Sequence, residues 1–275
     1  MTRTLAIILN HNLPVLTDNL YESLFPFTKK DFDLMVMDNG SISKLRSKYT
    51  SYSNEKNLFW GGALNVAFKM VLENEEYDSL LFLNNDIEWN GEIAVKQLRR
   101  ELFENDLAIV SPCIAGNPAP WKQMQNWGTN ATRLVKWIDN QAPLFHRKLI
   151  EKIVQFDESL YLGWGQELVC YEVCKEQHWQ IGVCDNLCIL HYGQQTLKQK
   201  RLNGGLFRRI LSKLGRQSVN DGRSFSKQAD KAWRALYSDT PDRFLHLIAY
   251  GHEYNESMIE FIHKKTDRNP LDKQF

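Results

Sequence analysis

Three short apolar runs in the first third of the chain each stop at an asparagine or aspartate. This recurrence constrains the fold more than any other feature of the sequence. Residues 4–9 (TLAIIL) lead into Asn10-His11-Asn12, 32–37 (FDLMVM) into Asp38-Asn39-Gly40-Ser41, and 79–84 (SLLFLN) into Asn85-Asp86 with Glu88 two residues on. Apolar runs of this length, bounded by turn formers, predict buried strands. Between them lie two helical patterns. One starts at Pro14 and carries Leu16, Leu20 and Leu24; the other opens at Gly61-Gly62 and carries Ala63, Val66, Ala67, Met70 and Val71. The second set has the spacing of a buried helix face. Strand–helix alternation at this interval predicts an α/β fold with a parallel, doubly wound sheet. Such sheets bind ligands beyond the carboxyl ends of their strands, so three polar strand tips at one edge describe a candidate site. Asp86, with no carboxylate beside it, stays ionised and is able to bind a divalent cation through oxygen. The competing reading of this stretch is a strand closed by an Asx turn.

Beyond residue 90 the pattern loosens. Residues 91–104 read as a helix and 107–111 as a strand, while 112–130, with three Pro and two Gly, read as a long loop. Long ordered loops are commonly functional, which makes Trp121 and Trp127 candidate contacts for an acceptor substrate. Residues 132–138 and 142–146 suggest strands and 148–154 a short helix. A Gly-Trp-Gly turn at 163–165 precedes a helix ending near 177, with Glu167 in its first turn, where the helix dipole favours a negative charge. A strand pair, 180–184 and 187–191, ends in His191. The five cysteines (113, 170, 174, 184 and 188) include two C-x3-C pairs. An odd number with no secretion signal argues for reduced thiols, and buried small hydrophobes are a better reading than zinc ligands.

Net charge is +1, but residues 196–275 hold 16 Lys/Arg against 9 Asp/Glu, and 1–195 hold 18 against 24. A basic extension thus follows an acidic domain. Within it, 197–216 carries apolar and basic residues at helical spacing and reads either as a helix lying on a membrane surface or as one packed on the core. Residues 226–237 and 243–264 suggest further helices. No run approaches the roughly 20 apolar residues of a membrane span, and the N-terminal run is too short for a signal peptide. The expectation is a cytoplasmic protein, with peripheral contact at the inner membrane face if 197–216 lies on lipid. Nucleic acid is not an expected partner, because base-stacking aromatics are not interleaved with the basic residues. A nucleotidyltransferase would want a Gly-rich basic loop after the first strand, and LNHNLPV supplies neither Gly nor Lys.

Six blocks in order resemble family 2 glycosyltransferases of the GT-A fold, particularly the bacterial rhamnosyltransferase-like branch. These are AIILNHN, LMVMDNGS, NEKNLFWGGALNVAFK, LFLNNDIEW, FDESLYLGWGQELVCYEVCKEQHW and NLCILHYGQQT, spanning about residues 4–196. The resemblance implies a GT-A (Rossmann-like), mostly parallel sheet flanked by helices over residues 1–195, with a helical C-terminal appendage at 196–275. The nucleotide-sugar half would cover about 1–90 and the acceptor half about 91–195. It further implies an inverting, metal-dependent transfer from a UDP- or dTDP-sugar to a hydroxyl of a glycan or lipid-linked glycan, in bacterial surface polysaccharide synthesis. Asn10, Asn12, Asp38, Asn65, Asn84, Asn85 and Asp86 would line the donor site, with Asp38 accepting from a pyrimidine N–H. Asp86 and His191 would hold Mn2+ or Mg2+, and Glu167 would be the general base. Trp60 and Trp164 would stack on sugar faces. Four departures from the family pattern stand out. Asn84 replaces the first Asp of the DXD motif, Gln166 replaces the first member of an acidic pair, and Val169 and Val173 stand where an Asp and an Arg are expected on the following helix. The changes at Asn84, Gln166 and Val169 motivate the alternative of a catalytically degenerate relative that binds nucleotide-sugar or glycan without transfer.

Overall fold

The strands expected from the apolar runs form the first half of one sheet. The computed structural model describes residues 2–28, 32–89, 94–116, 122–157, 160, 163 and 165–192. Trp121, Trp164 and the whole extension from 196, with its 197–216 helix, lie outside the described residues. Strands β1 (Arg3–Asn10), β2 (Phe32–Asn39), β3 (Thr50–Asn54) and β4 (Tyr77–Asn84) pair in parallel, in the order β3-β2-β1-β4. Helices α1 (Pro14–Leu24) and α2 (Phe59–Leu72) make the crossovers into β2 and β4. Leu80, Leu81, Phe82 and Leu83 have no exposed surface, as expected of a central strand covered on both faces. Each such side chain contributes about 1.5–3 kcal/mol on burial.

The second half is woven in less regularly. It comprises β5 (Ile87–Trp89), α3 (Ala94–Glu104), β6 (Leu107–Gly116), β7 (Thr132–Val135), β8 (Leu144–His146), α4 (Arg147–Ile153), α5 (Gln166–Glu176) and β9 (Gln180–His191). Strand β8 runs antiparallel between β4 and β6; β6 pairs β9 in parallel; β5 and β7 add to β9 antiparallel. The nine strands make one mixed sheet flanked by helices. Phe68 on α2 packs edge-on against Phe145 of β8 and against Phe156, which joins the two halves through one aromatic core.

Several local expectations are corrected. The buried face of α2 is Ala63, Leu64, Ala67, Phe68 and Val71. The larger Leu64 and Phe68 take the centre, and Val66 and Met70 pack at its margin. The segment 112–130 is not one loop, since β6 continues through Pro112 to Gly116 and a short 3-10 turn occupies Lys122–Met124. The two strands expected at 180–184 and 187–191 are a single strand. Its register against β6 jumps from Pro112↔Cys184 to Cys113↔Cys188, so residues 185–187 form a bulge rather than a turn.

Candidate functional site at the strand tips

The carboxyl ends of β1, β2 and β4 lie side by side at one edge of the sheet, as the pairings Asn10↔Asp38 and Leu9↔Asn84 require. Asn10, fully buried, is the joint of this edge. Its amide donates to Asp38 Oδ1 (2.9 Å) and Ser41 Oγ (3.2 Å), and its carbonyl oxygen accepts from Thr17 Oγ1 (2.9 Å). Asp38 also receives the Ser41 N–H (3.1 Å), and the Arg46 guanidinium stands 3.5 Å away. Gly40 makes this turn feasible. It has φ +69, and a Cβ there would fall 2.3 Å from the Asn57 nitrogen. Asn12 accepts from the Ile42 N–H (3.0 Å), and Asn85 donates to Thr17 Oγ1 (2.9 Å). The asparagines thus tie the loops together. Asp38 has no exposed side-chain surface, while the Arg46 beside it is 47 % exposed.

Asn65 is placed differently from the expectation. Its amide donates to the Phe156 carbonyl (2.8 Å) and its oxygen accepts the Phe156 N–H (2.8 Å). Both polar ends are spent on a backbone 91 residues away, which makes it a clamp between the two halves rather than a side chain offered to a ligand. Asn84, the last residue of β4, accepts from Trp60 Nε1 (2.9 Å) and donates to Gln141 Oε1. Trp60 also packs edge-on against Phe82 and lies against Gly163, where a Cβ would come within 3.0 Å of its ring. Asn84 and Trp60 therefore fix the site wall to the turn that leads into α5.

The chain reverses after β4. Because β5 pairs antiparallel with β9, Ile87 lies opposite His191, and the Tyr192 N–H donates to the Asp86 carbonyl (2.9 Å). The Tyr192 hydroxyl closes the same junction by donating to Glu88. This pairing sets the Asp86 carboxylate 3.3 Å from His191 Nε2, with the two side chains 12 % and 20 % exposed. Two cis ligands about 2.1 Å from an octahedral cation lie roughly 3 Å apart. That spacing would let the two side chains share one divalent ion. Among the described residues no group of three or more His, Cys, Asp or Glu could hold a metal by itself.

Glu167, in the first turn of α5, accepts from the Gly165 N–H (3.0 Å). Burial pushes its carboxyl up to about 7, and the nearby Asp139 adds to the effect. Asp139 is itself raised by burial, with Gln141 and His191 working in the opposite direction. Glu167, Asp139, His191 and Asp86 therefore form one electrostatic neighbourhood, drawn from four separate stretches of chain. Asp139 was missed in the sequence reading because nothing local marks it. Long-range contacts bring it to the strand tips: Asn84 bonds Gln141 through backbone and side chain, and Gln141 bonds Asp139. Gln166 is buried and donates to the Leu160 carbonyl (3.4 Å). Trp127 is 57 % exposed and lies under the Arg133 guanidinium, 4.2 Å from its ring. Its N–H reaches Asp185 in the β9 bulge and its ring nitrogen reaches the Lys122 carbonyl. These contacts anchor the 122–131 loop and do not connect it with Glu167.

The strand order and crossovers can be compared with known structures. No protein-family model matches the sequence, and no curated protein matches it significantly. Among solved structures, the chain is similar to GalNAc-T7, determined with UDP, GalNAc and Mn2+. The TM-score is 0.56 at 10 % identity, over 70 % of this chain and 44 % of that one. The fold is the GT-A fold. The chain thus spans less than half the length of the glycosyltransferase it matches. A second structure, A197 from STIV, matches over 70 % of this chain and 86 % of that one at 16 % identity, but its TM-score of 0.44 carries no argument. Among the described residues no helix is long and apolar enough to cross a membrane.

Proposed function

We propose that the chain is a metal-dependent glycosyltransferase that moves a sugar from a pyrimidine nucleoside-diphosphate sugar to a hydroxyl of a glycan acceptor. The observation that carries this reading is the Asp86–His191 pair, 3.3 Å apart at the sheet edge, in the same neighbourhood as the raised carboxyl of Glu167. The resemblance in sequence to family 2 enzymes had assigned these three residues to one reaction. The fold is shared with a protein crystallised with UDP, GalNAc and Mn2+.

The roles follow from the chemistry of the residues. Asp86 and His191 would hold Mn2+ or Mg2+ beside the donor diphosphate. A bound cation there supplies Lewis-acid neutralisation of the charge that develops on the leaving diphosphate. Glu167, with its carboxyl near 7, takes the proton of the acceptor hydroxyl; a base poised near neutral pH is matched to that task. The acceptor oxygen then bonds to the anomeric carbon as the bond to the diphosphate breaks, and a single displacement inverts configuration. Asn10, Asn12, Asp38 and Asn85 hold the loops that would frame the nucleotide. Trp127 remains a candidate on the acceptor side. UDP- or dTDP-sugars are the proposed donors and a bacterial surface polysaccharide or its lipid-linked precursor the proposed acceptor.

A second reading is favoured by the engagement of Asn84 with Trp60 and Gln141 and the inward turn of Gln166. A relative that has lost those two acids could bind a nucleotide-sugar without transferring it. Thermal-shift titration with UDP and dTDP and their sugars, with and without Mn2+, followed by a glycan acceptor panel, separates the two. Mn2+-dependent stabilisation with transfer supports the enzyme, and stabilisation without transfer supports the binder. No shift with any nucleotide would refute both.

A further inference from the structure

The sequence groups its cysteines as 170/174 and 184/188, but the fold makes a different pair. The β6–β9 register sets Cys113 directly opposite Cys188. Neighbouring strands lie about 4.8 Å apart, and a disulfide needs Cα atoms about 4.4–6.8 Å apart. The backbone spacing of this pair therefore already suits a bond. Register partners project to the same face of a sheet. Cys113 is fully buried and Cys188 exposed, so one sulfur is open to a small oxidant and the other waits behind it. Cys184 is buried opposite Pro112, and Cys170 and Cys174 are buried on α5. We propose that Cys113 and Cys188 are a peroxide-reactive thiol pair that closes to a reversible disulfide across the β6–β9 junction.

The chemistry follows from which sulfur carries the charge. The neighbouring Cys113 lowers the Cys188 thiol below the ordinary cysteine range, helped by the Ala115 N–H and opposed by burial and by Asp185. Cys188, the exposed sulfur of the pair, is therefore the one that reacts, as its thiolate. Its sulfur attacks one peroxide oxygen, the O–O bond breaks, and the departing hydroxide becomes water on protonation. This leaves Cys188 as a sulfenic acid. The Cys188 contact is also the largest cause raising Cys113, and that cause disappears when the Cys188 charge is lost. Cys113 then gives up its proton and attacks the Cys188 sulfur. The S–O bond breaks and a second water leaves. In balance, two thiols and one peroxide become one disulfide and two waters, the sulfurs together losing two electrons. The bond would form three residues before His191 and tie the strand that carries it to β6. Exposed disulfides between adjacent elements are the readily reduced kind.

The test uses the full-length protein, treated with hydrogen peroxide and then dithiothreitol, and read by intact mass and peptide mapping. The expected result is a loss of two hydrogens, a linked peptide pair containing Cys113 and Cys188, and full reversal by the reductant. Cys113→Ser should stop the reaction at a Cys188 sulfenic acid that dimedone traps, while Cys174→Ser leaves the linkage unchanged. Oxidation of Cys188 in the unaltered protein without any linked pair overturns the proposal. A measurement that does not depend on the variants is the iodoacetamide reaction of Cys188 across pH. Half-maximal reactivity below the ordinary cysteine range is expected, and a thiol that stays unreactive until that range overturns the assignment of Cys188 as the attacking thiolate.

Discussion

Glu167→Gln tests the proposed base through two readouts that a merely structural residue would not move together. The carboxyl stands near 7 in the folded chain against 4.5 as its ordinary value. Between those values the folded state holds a proton that the unfolded chain has released. Stability therefore falls as pH rises through that window, and the penalty is complete above about 7. A rise of this size corresponds to roughly 3 kcal/mol at full burial. Glu167 keeps part of its surface in water, and solvent screening reduces the figure to about 1–2 kcal/mol. Glutamine fills the same space without the charge. The variant should therefore melt roughly 2–8 °C above the unmodified protein at pH 8, on a scale of about 2–4 °C per kcal/mol, and close to it at pH 4.5. In the transfer assay, kcat/KM of the unmodified protein should rise through pH 7. The variant should be pH-independent there and lower by about 10²- to 10⁴-fold. Differential scanning fluorimetry and initial rates across pH 5–9 check both. Unchanged turnover, or a melting difference that does not vary with pH, refutes the reasoning.

Asp86→Ala should abolish the Mn2+-dependent part of UDP binding in isothermal calorimetry, and an unchanged Mn2+ requirement would remove Asp86 from the cation. Asn65→Ala leaves the Phe156 N–H and carbonyl unpartnered and should cost about 1–3 kcal/mol in urea denaturation with nucleotide affinity intact. A loss of affinity at full stability would instead make Asn65 a ligand contact. Arg133→Ala abandons Asp185, whose side chain has no exposure beside an Arg133 that is 9 % exposed. It should cost about 3–5 kcal/mol, far more than the roughly 0.5–1 kcal/mol expected from Trp127→Ala through the exposed cation–π contact. Equal losses would show that the buried ion pair is not what holds the 122–131 loop.

The parts of the fold that were legible are those where local pattern and tertiary role coincide. β1, β2 and β4 are buried runs that stop where the chain must turn, so their apolar stretches and Asn/Asp tips are visible in the sequence. β3 (TSYSN) is an edge strand with most of its side chains in water, and with little to bury it carries no such run. β9 reads as two strands because Asp185 and Asn186 are turn formers. What keeps them in one strand is long-range, since Asp185 is held by Arg133, Thr129 and the Trp127 N–H.

The same distinction divides the candidate site. Asp86 and Glu167 announce themselves by position, one at the end of a buried run and the other in the first turn of a helix. The family resemblance implies Asn10, Asn65 and Asn84 as donor-site contacts, and for Asn10 and Asn84 a polar residue at a strand tip invites the same reading. In the fold their amides are consumed by Asp38, Phe156 and the Trp60–Gln141 pair. Amides suit this work, since one side chain both donates and accepts and can join two loops without the cost of burying a charge. The asparagines at this edge therefore act as its framework, and the carboxylates and His191 are the groups that the proposed reaction would use. Asp139 belongs to the second group while sitting in a stretch that reads as connection, which is why a raised carboxyl beside Glu167 emerges only once the chain is folded.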